Sequence, residues 1–312
     1  MTVEFNQKPS KKTSYKSYVI VFWILFSLVI GSGYYIFNGI ANRNLLGKLP
    51  SFQQLENPKT LLATRLLSSE GKLLGTIFKE NRALAEYYEL SSFLEDALIS
   101  TEDERFYNHS GIDGKSLARA ILMGGSSGGG STISQQLAKM LFTKKAVKNK
   151  WERVKQKLKE WVVAVLLERQ YTKEEIITTY FNTLDFVNNA AGIKSASQVY
   201  FNSSPKELKI EQAAMFVGMA KNPALFNPLR RPDTTLFRRN VVFAQMLKNH
   251  KITKTEFDSL KKLPLGIQFN LASHNSGIAT YFRQEVKKKL KKVFKTLKKP
   301  DGTLYNLSLI HI

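Results

Sequence analysis

Apolar and polar residues fall into distinct patterns along the chain. Tyr18 to Ile40 ("YVIVFWILFSLVIGSGYYIFNGI") is 23 residues without a charged side chain. At ~1.5 Å rise per residue such a helix reaches about 34 Å, enough to cross a hydrocarbon core of roughly 30 Å. Residues 41–64 lose that pattern and hold Pro50 and Pro58, as a linker does. "ATRLLSSEGKLLGTIF", Ala63 to Phe78, predicts two short strands around a Ser-Glu-Gly turn. From residue 91 the spacing turns helical. Ser92-x-x-Glu95 reads as a capping box ahead of Phe93, Leu94, Ala97 and Leu98. Further helices are predicted over 115–123, from Ser131 as N-cap through "STISQQLAKMLF", and over 148–169. Another is capped by Thr172-x-x-Glu175 and runs through Asn182. The helix "EQAAMFVGMAKNP" is buried by its composition and stopped before Pro223. A basic segment, Tyr281 to Lys299, sets Phe282, Val286, Leu290, Val293 and Leu297 on one face, suited to packing on neighbouring protein or lying on an anionic membrane surface. The expected fold is mainly α, with a small β element near residues 63–80 and one N-terminal transmembrane helix.

Charge narrows the partners. With 47 Lys+Arg against 25 Asp+Glu, the net charge of +22 calls for polyanions: nucleic acid, anionic lipid or phosphorylated substrates. Lys8, Lys11, Lys12 and Lys16 precede the apolar run, so the positive-inside bias puts residues 1–17 in the cytoplasm and the rest outside. The run is long and no A-x-A-like site follows, which favours an uncleaved anchor over a signal peptide. Nucleic acid is therefore set aside, and pyrophosphates and anionic headgroups are favoured. There are no cysteines, so disulfides and thiolate metal sites are excluded.

Candidate chemistry gathers in three places. The glycine-rich loop "GGSSGGG" (124–130) leads into a helix N-terminus, whose free N–H groups and partial positive charge suit an anion. Ser131 and Thr132 add hydroxyls there, and Gln135 and Lys139 lie one turn apart. The nucleotide-binding pattern G-x-x-x-x-G-K-[ST] is absent, and a flexible linker remains the competing reading of the loop. Glu102, with Asp103 and Glu104 beside it, ends one helix, and Glu160 sits on another. Two carboxylates facing one cleft are what sugar transfer needs, one as base and one controlling charge at the leaving group. Glu160 has a second reading, as the partner of Gln156 at i,i+4 or as a solvated side chain. A lone histidine, His109, reads as a packed, hydrogen-bonded group. No H-E-x-x-H or G-x-S-x-G supports a metalloprotease or a serine hydrolase.

Taken together, five stretches resemble the peptidoglycan glycosyltransferases of family 51. "EDERFYNHSGID" is similar to E-D-x-x-F-x-x-H-x-G, "GGSTISQQLAK" to G-x-S-T-I-x-Q-Q-x-x-K, and "QKLKE" to R-K-x-x-E. "KEEIITTYFNTLDF" resembles K-x-x-I-L-x-x-Y-L-N, and "EQAAMFVGMAKNPALFNPLRRP", with Arg238 and Arg239 after it, resembles the fifth motif. The resemblance implies a lysozyme-like helical fold that polymerises lipid II into glycan strands with inversion. It implies Glu102 as general base and Glu160 as the second essential carboxylate. It further implies Asp103, Ser131, Thr132, Gln135, Gln136, Lys139, Arg153, Lys157 and Asn182 as substrate-binding residues, several of them neutralising the pyrophosphate. No cofactor is required on this reading, with room for a divalent cation (Mg or Mn) at the pyrophosphate. The implied setting is the bacterial inner membrane, with lipid II, the growing strand, the membrane and cell-wall synthesis proteins as partners.

Some positions depart from the family pattern. Gln156 stands where the third motif has Arg, Glu152 holds the register of an arginine expected before it with Arg153 following, and Met140 replaces an Asn. Val187 stands where a glycine is expected, which matters if the backbone there needs φ > 0. The expected division is a cytoplasmic tail (1–17), a membrane span (18–40), a linker (41–64), the glycosyltransferase domain (65–250) and a connector (251–312). "HNSGIATYFRQEVKKKL" and "PDGTLYNL" resemble the connector that precedes the transpeptidase domain in class A bifunctional penicillin-binding proteins. Ser69-x-x-Lys72 and Ser203-x-x-Lys206 have no K-T-G or S-x-N partner, so a truncated glycosyltransferase half without transpeptidase activity is expected. A lysozyme-like muramidase and a non-catalytic membrane scaffold are the competing functions.

Overall fold

A computed structural model describes residues 15–41, 49–51, 54–55, 64–77, 81–122, 130–143, 149–270 and 280–296. Helix α1 (Tyr15–Ala41) holds a window, Tyr15–Tyr34, long and apolar enough to cross a membrane, and none of it is buried against protein. Strands β1 (Thr64–Leu67) and β2 (Leu73–Ile77) pair antiparallel with an irregularity between Leu66 and Leu67, as the turn chemistry predicted.

The rest is helical. In chain order follow α2 (Ser92–Glu102), α3 (Gly114–Leu122), α4 (Ile133–Phe142), α5 (Lys150–Gln170), α6 (Lys173–Thr183) and α7 (Ile193–Phe201). Then come α8 (Ile210–Ala220), α9 (Pro232–Lys248), α10 (Lys254–Leu260) and α11 (Thr280–Thr296). Helix α8 is apolar almost all round and buries Ala213 to Met219 without a break, packed by α2 and α9. Phe216 lies at its centre, its ring 5.1 Å from that of Phe186, 5.4 Å from Phe201 and 6.0 Å from Tyr200. Full burial of such a side chain contributes about 1.5–3 kcal/mol before the geometry of the ring pairs is counted. A second group, α4 with α5 and α6, packs around Ile133, Leu137, Val163, Ala164, Leu167 and Ile177. The candidate site lies where the two groups meet.

Local signals at the helix starts held in some places and were overruled in others. Thr172 and Glu175 form the expected reciprocal box on α6. Helix α2 is capped one residue earlier than expected: Ser91 accepts the Phe93 N–H at 3.4 Å. Glu95 is not part of a box there, because its carboxylate takes the hydroxyls of Tyr87 and Tyr107. Likewise Thr132, not Ser131, caps α4 by accepting the Gln135 N–H at 3.2 Å.

The packed unit also runs past the boundary expected at 250. Arg239 is wholly buried and donates to the carbonyls of Pro264 (2.9 Å), Leu263 (2.7 Å) and Leu260 (3.4 Å), which binds α10 and its exit to α9. The backbone N–H groups of Gln268 and Asn270 then donate to Tyr200 and Val199 on α7, each at 2.8 Å. In α11 the expected stripe is half met: Val286 and Leu290 are half-buried, while Phe282 and Val293 are exposed. Leu297, the tail 1–14, most of the linker and most of the glycine loop (123–129) lie outside the described residues. Val187 does sit at positive φ (57°), followed by Asn188 at 49° and Asn189 at 60°, so a β-branched residue occupies a left-handed position.

Candidate active site

Helix α2 ends at Glu102 because Asp103, at φ −158°, leaves the helical region. The Glu102 carboxylate projects where α2, α4 and α9 converge, its side chain 18% exposed. Its Oε2 accepts a 2.8 Å hydrogen bond from the Gln136 side-chain amide on α4. The Gln136 carbonyl oxygen accepts in turn from the hydroxyl of Tyr180 on α6, at 3.1 Å. Arg238 on α9 brings a guanidinium nitrogen to 3.6 Å from Oε1. Its stem packs against Gly218 of α8, where an added Cβ would come within 3.2 Å of the Arg238 Cγ. Burial pulls the Arg238 pKa below its ordinary value, and the charge of Glu102 works against that loss.

The two acids after Glu102 serve the scaffold. Glu104 pairs with Arg105 (2.9 Å) and Lys248 (3.2 Å). Asp103 is buried and accepts the Ile133 N–H at 3.0 Å, at the start of α4, while His109 Nε2 stands 3.0 Å from both its oxygens. The Gly111 N–H donates to His109 Nδ1 at 3.2 Å, which fixes the ring proton on Nε2 and makes it the donor to Asp103. The structural reading of His109 is thus observed. Thr132 and Gln135 are buried behind α4, both donating to the Gly111 carbonyl, at 2.7 and 3.3 Å. Asn182 is turned inward as well, and its amide exchanges hydrogen bonds with the backbone of Ala85 (2.9 and 2.8 Å). Asp103, Thr132, Gln135 and Asn182, expected at the substrate, are therefore bonded to the protein behind the cleft wall, although the Gln135 side-chain carbonyl oxygen is buried with no hydrogen-bond partner among the described residues.

The second carboxylate, Glu160 on α5, is buried without losing its polar partners. Its Oε1 accepts from Thr143 Oγ1 and from Gln156 Nε2, each at 3.2 Å, and Lys157 Nζ lies 3.5 Å from Oε2. The i,i+4 contact with Gln156 is real, yet Glu160 is no solvated surface acid. Gln156 also donates to the Thr143 carbonyl at 3.2 Å, so it supplies a neutral donor where the family pattern has a charge. Lys157 donates to Ser131 Oγ at 2.6 Å, which draws the start of α4 to α5. Burial lowers the Lys157 pKa, with Lys139 adding to the effect and Glu160 opposing it. Lys139 is exposed on α4 and Arg153 is exposed on α5, on the face that carries Lys157 and Glu160. Gln136, Lys139 and Thr143 share one side of α4 at spacings of three and four. That side therefore meets Glu102 at one end and Glu160 at the other, with a cation between them.

Among the described residues, no group of three or more His, Cys, Asp or Glu side chains is placed to hold a metal ion. Tyr180 and Arg238 were missing from the residues expected at the site. Both lie within stretches that resemble the fourth and fifth motifs, but only packing turns their side chains toward Gln136 and Glu102.

Comparison with known proteins shows the family. The transglycosylase family model matches residues 70–247, more than half of the chain. The chain belongs to the transglycosylase family. Glu102, Gln136, Lys157, Glu160, Tyr180 and Arg238 all fall inside this transglycosylase region. Among curated relatives, it is 32% identical to penicillin-binding protein 1A of Aquifex aeolicus over 230 residues, 70% of this chain and 31% of that protein. It is 32% identical to penicillin-binding protein 1F of Bacillus subtilis, over 72% of this chain and 31% of the relative. The chain thus spans about a third of the length of these relatives. A solved structure, penicillin-binding protein 1A from Haemophilus influenzae, shares 20% identity at a TM-score of 0.41 over 79% of this chain and 26% of that one, a likeness too slight to bear on the site.

Proposed function

We propose that this transglycosylase domain polymerises lipid II into peptidoglycan glycan strands. The observation that carries the reading is the side of α4 bounded by two carboxylates, Glu102 through Gln136 and Glu160 through Thr143, with Lys139 between and Lys157 beside Glu160. In this scheme Glu102 takes the proton from the 4-hydroxyl of the acceptor sugar. That oxygen attacks the anomeric carbon of the lipid-linked strand from the opposite face, and the bond from carbon to pyrophosphate oxygen breaks with inversion. The electron pair leaves on undecaprenyl pyrophosphate, whose charge is met by Lys139, Lys157 and Arg153, with Ser131 as a hydroxyl donor. Loss of one such donor typically costs ~2.7–4 kcal/mol of transition-state stabilisation. Glu160, tied to Lys157, holds that lysine in place. The scheme needs no cofactor, because lysines supply the charge; a divalent cation joining them would be held by the pyrophosphate itself.

Helix α1 fits the same reading, as an anchor that keeps the domain beside a lipid-borne substrate on the outer face of the bacterial inner membrane, with Lys8, Lys11, Lys12 and Lys16 on the cytoplasmic side. The test is gel separation of products from labelled lipid II, with detergent-solubilised wild type and Glu102→Gln side by side. Long strands from wild type and none from the variant are expected. A folded wild type that makes no polymer would overturn the proposal, and shortened glycan from a preformed strand would point to a muramidase.

A further inference from the structure

A glutamine amide has two ends of opposite character, and it can turn over by half a rotation at little steric cost. What fixes it is its neighbours. Around Gln136 those neighbours are a carboxylate that only accepts, Glu102 at 2.8 Å, and a phenol that can do either, Tyr180 at 3.1 Å. Among the described residues the Tyr180 hydroxyl has no other hydrogen-bond partner, and its ring is buried to the last per cent. Burial, reinforced by the charge of Glu102, pushes the phenol far above its ordinary pKa, so the hydroxyl keeps its proton and acts as a donor. Were the amide to turn over, two things would fail together. The phenol hydrogen would be stranded in the core, and the amide carbonyl would face the carboxylate.

We propose that Tyr180 is a positioning residue for the base: its hydroxyl locks the Gln136 amide so that the NH2 group, never the carbonyl, meets Glu102. The inference deepens the reading of Glu102 as base and rests on it. The lock has work at both stages of the proton transfer. Before transfer, the Gln136 NH2 holds Oε2 and leaves the Oε1 side of the carboxylate toward the cleft, where Arg238 stands at 3.6 Å. After transfer, a protonated Glu102 would bond readily to a turned-over carbonyl and trap the proton; with that carbonyl committed to Tyr180, the base is free to give the proton up and reset.

The experiment uses the full chain in detergent, labelled with 15N on glutamine side chains, the Gln136 amide signal being assigned by its loss in Gln136→Met. Tyr180→Phe removes one oxygen and keeps the ring. It is expected to shift or broaden the Gln136 NH2 pair and to lower kcat on labelled lipid II roughly ten- to a hundredfold, the scale of a misplaced catalytic group, with KM nearly unchanged. Gln136→Met is expected to lose kcat to a similar extent, and Tyr180→Phe on that background to cost nothing more. This second variant leaves the proposal open to refutation even if Tyr180→Phe folds poorly: full kcat in Gln136→Met overturns it. An unmoved amide signal in Tyr180→Phe overturns it too, as does a Tyr180→Phe loss that persists in Gln136→Met. If the amide signal responds while folded wild type makes no polymer, the lock stands and the lipid II reading falls.

Discussion

Asp103 offers the clearest test of how the site is supported. Its side chain is 3% exposed and serves two donors, the Ile133 N–H that opens α4 and the His109 Nε2–H, all at 3.0 Å. Asp103→Ala removes both acceptors at once. Losing the acceptor for a first-turn N–H costs ~1 kcal/mol even with the Thr132 cap in place, and leaving the buried imidazole N–H without an acceptor costs about 1–3 kcal/mol more. The sum, roughly 2–4 kcal/mol, lowers the melting temperature by about 5–15 °C for a domain of this size. Asp103→Asn keeps one oxygen for Ile133 but turns an amide toward a donor, so its loss falls between Ala and wild type. Circular dichroism melts of the three proteins in the same detergent measure this. If Asp103→Ala melts within about 2 °C of wild type, the clamp carries no stability and the reasoning fails. A domain that melts normally but no longer binds substrate would return Asp103 to the cleft.

Two more predictions follow from the same scaffold. Burial pushes the Asp113 carboxyl up, but hydrogen bonds from Arg105 (2.6 Å) and Ser116 outweigh it and hold its pKa at about 2, against an ordinary 3.8. Because the folded pKa is depressed, this carboxylate stabilises the protein by about 2 kcal/mol above pH 4, and the contribution drains away as pH falls toward 2. Asp113→Asn is expected to be less stable at neutral pH and to lose less on acidification over that window; urea titrations at pH 7 and pH 3 check it, and parallel curves for the two proteins would refute it. Gly111 has φ 92°, and a Cβ there would meet the Ala164 and Val165 backbone of α5 at 2.9 Å. Gly111→Ala therefore strains the loop and forces two backbones apart, at a cost of at least about 2 kcal/mol by melting; an unchanged midpoint would mean that the contact is not tight.

Legibility in the sequence differs from residue to residue. Helix positions follow from apolar spacing, because a 3.6-residue period is a property of the local chain. The residues that resemble the family motifs mark the catalytic stretch for the same reason, as types at fixed separations. Burial is not local. Nothing in "STISQQLAK" says that Thr132 and Gln135 turn inward to the Gly111 carbonyl while Gln136 turns to Glu102. Ser131 reads as the cap until Lys157, on another helix, takes its hydroxyl and Thr132 caps instead. Glu95 looks like a box partner until two distant tyrosines claim it.

The sequence by itself thus determined the apolar span, the order of helices, the excess of positive charge and the placing of Glu102 and Glu160 on two different helices. Only the tertiary structure decided which polar groups face the cleft and which brace it. It separated Glu102 from its neighbour Asp103, brought Tyr180 to Gln136 and Arg238 to Glu102, and buried Glu160 beside Lys157. The physical reason is that a hydrogen-bond partner is set by where helices cross. Helix crossings depend on how the whole core packs, not on any one segment's pattern.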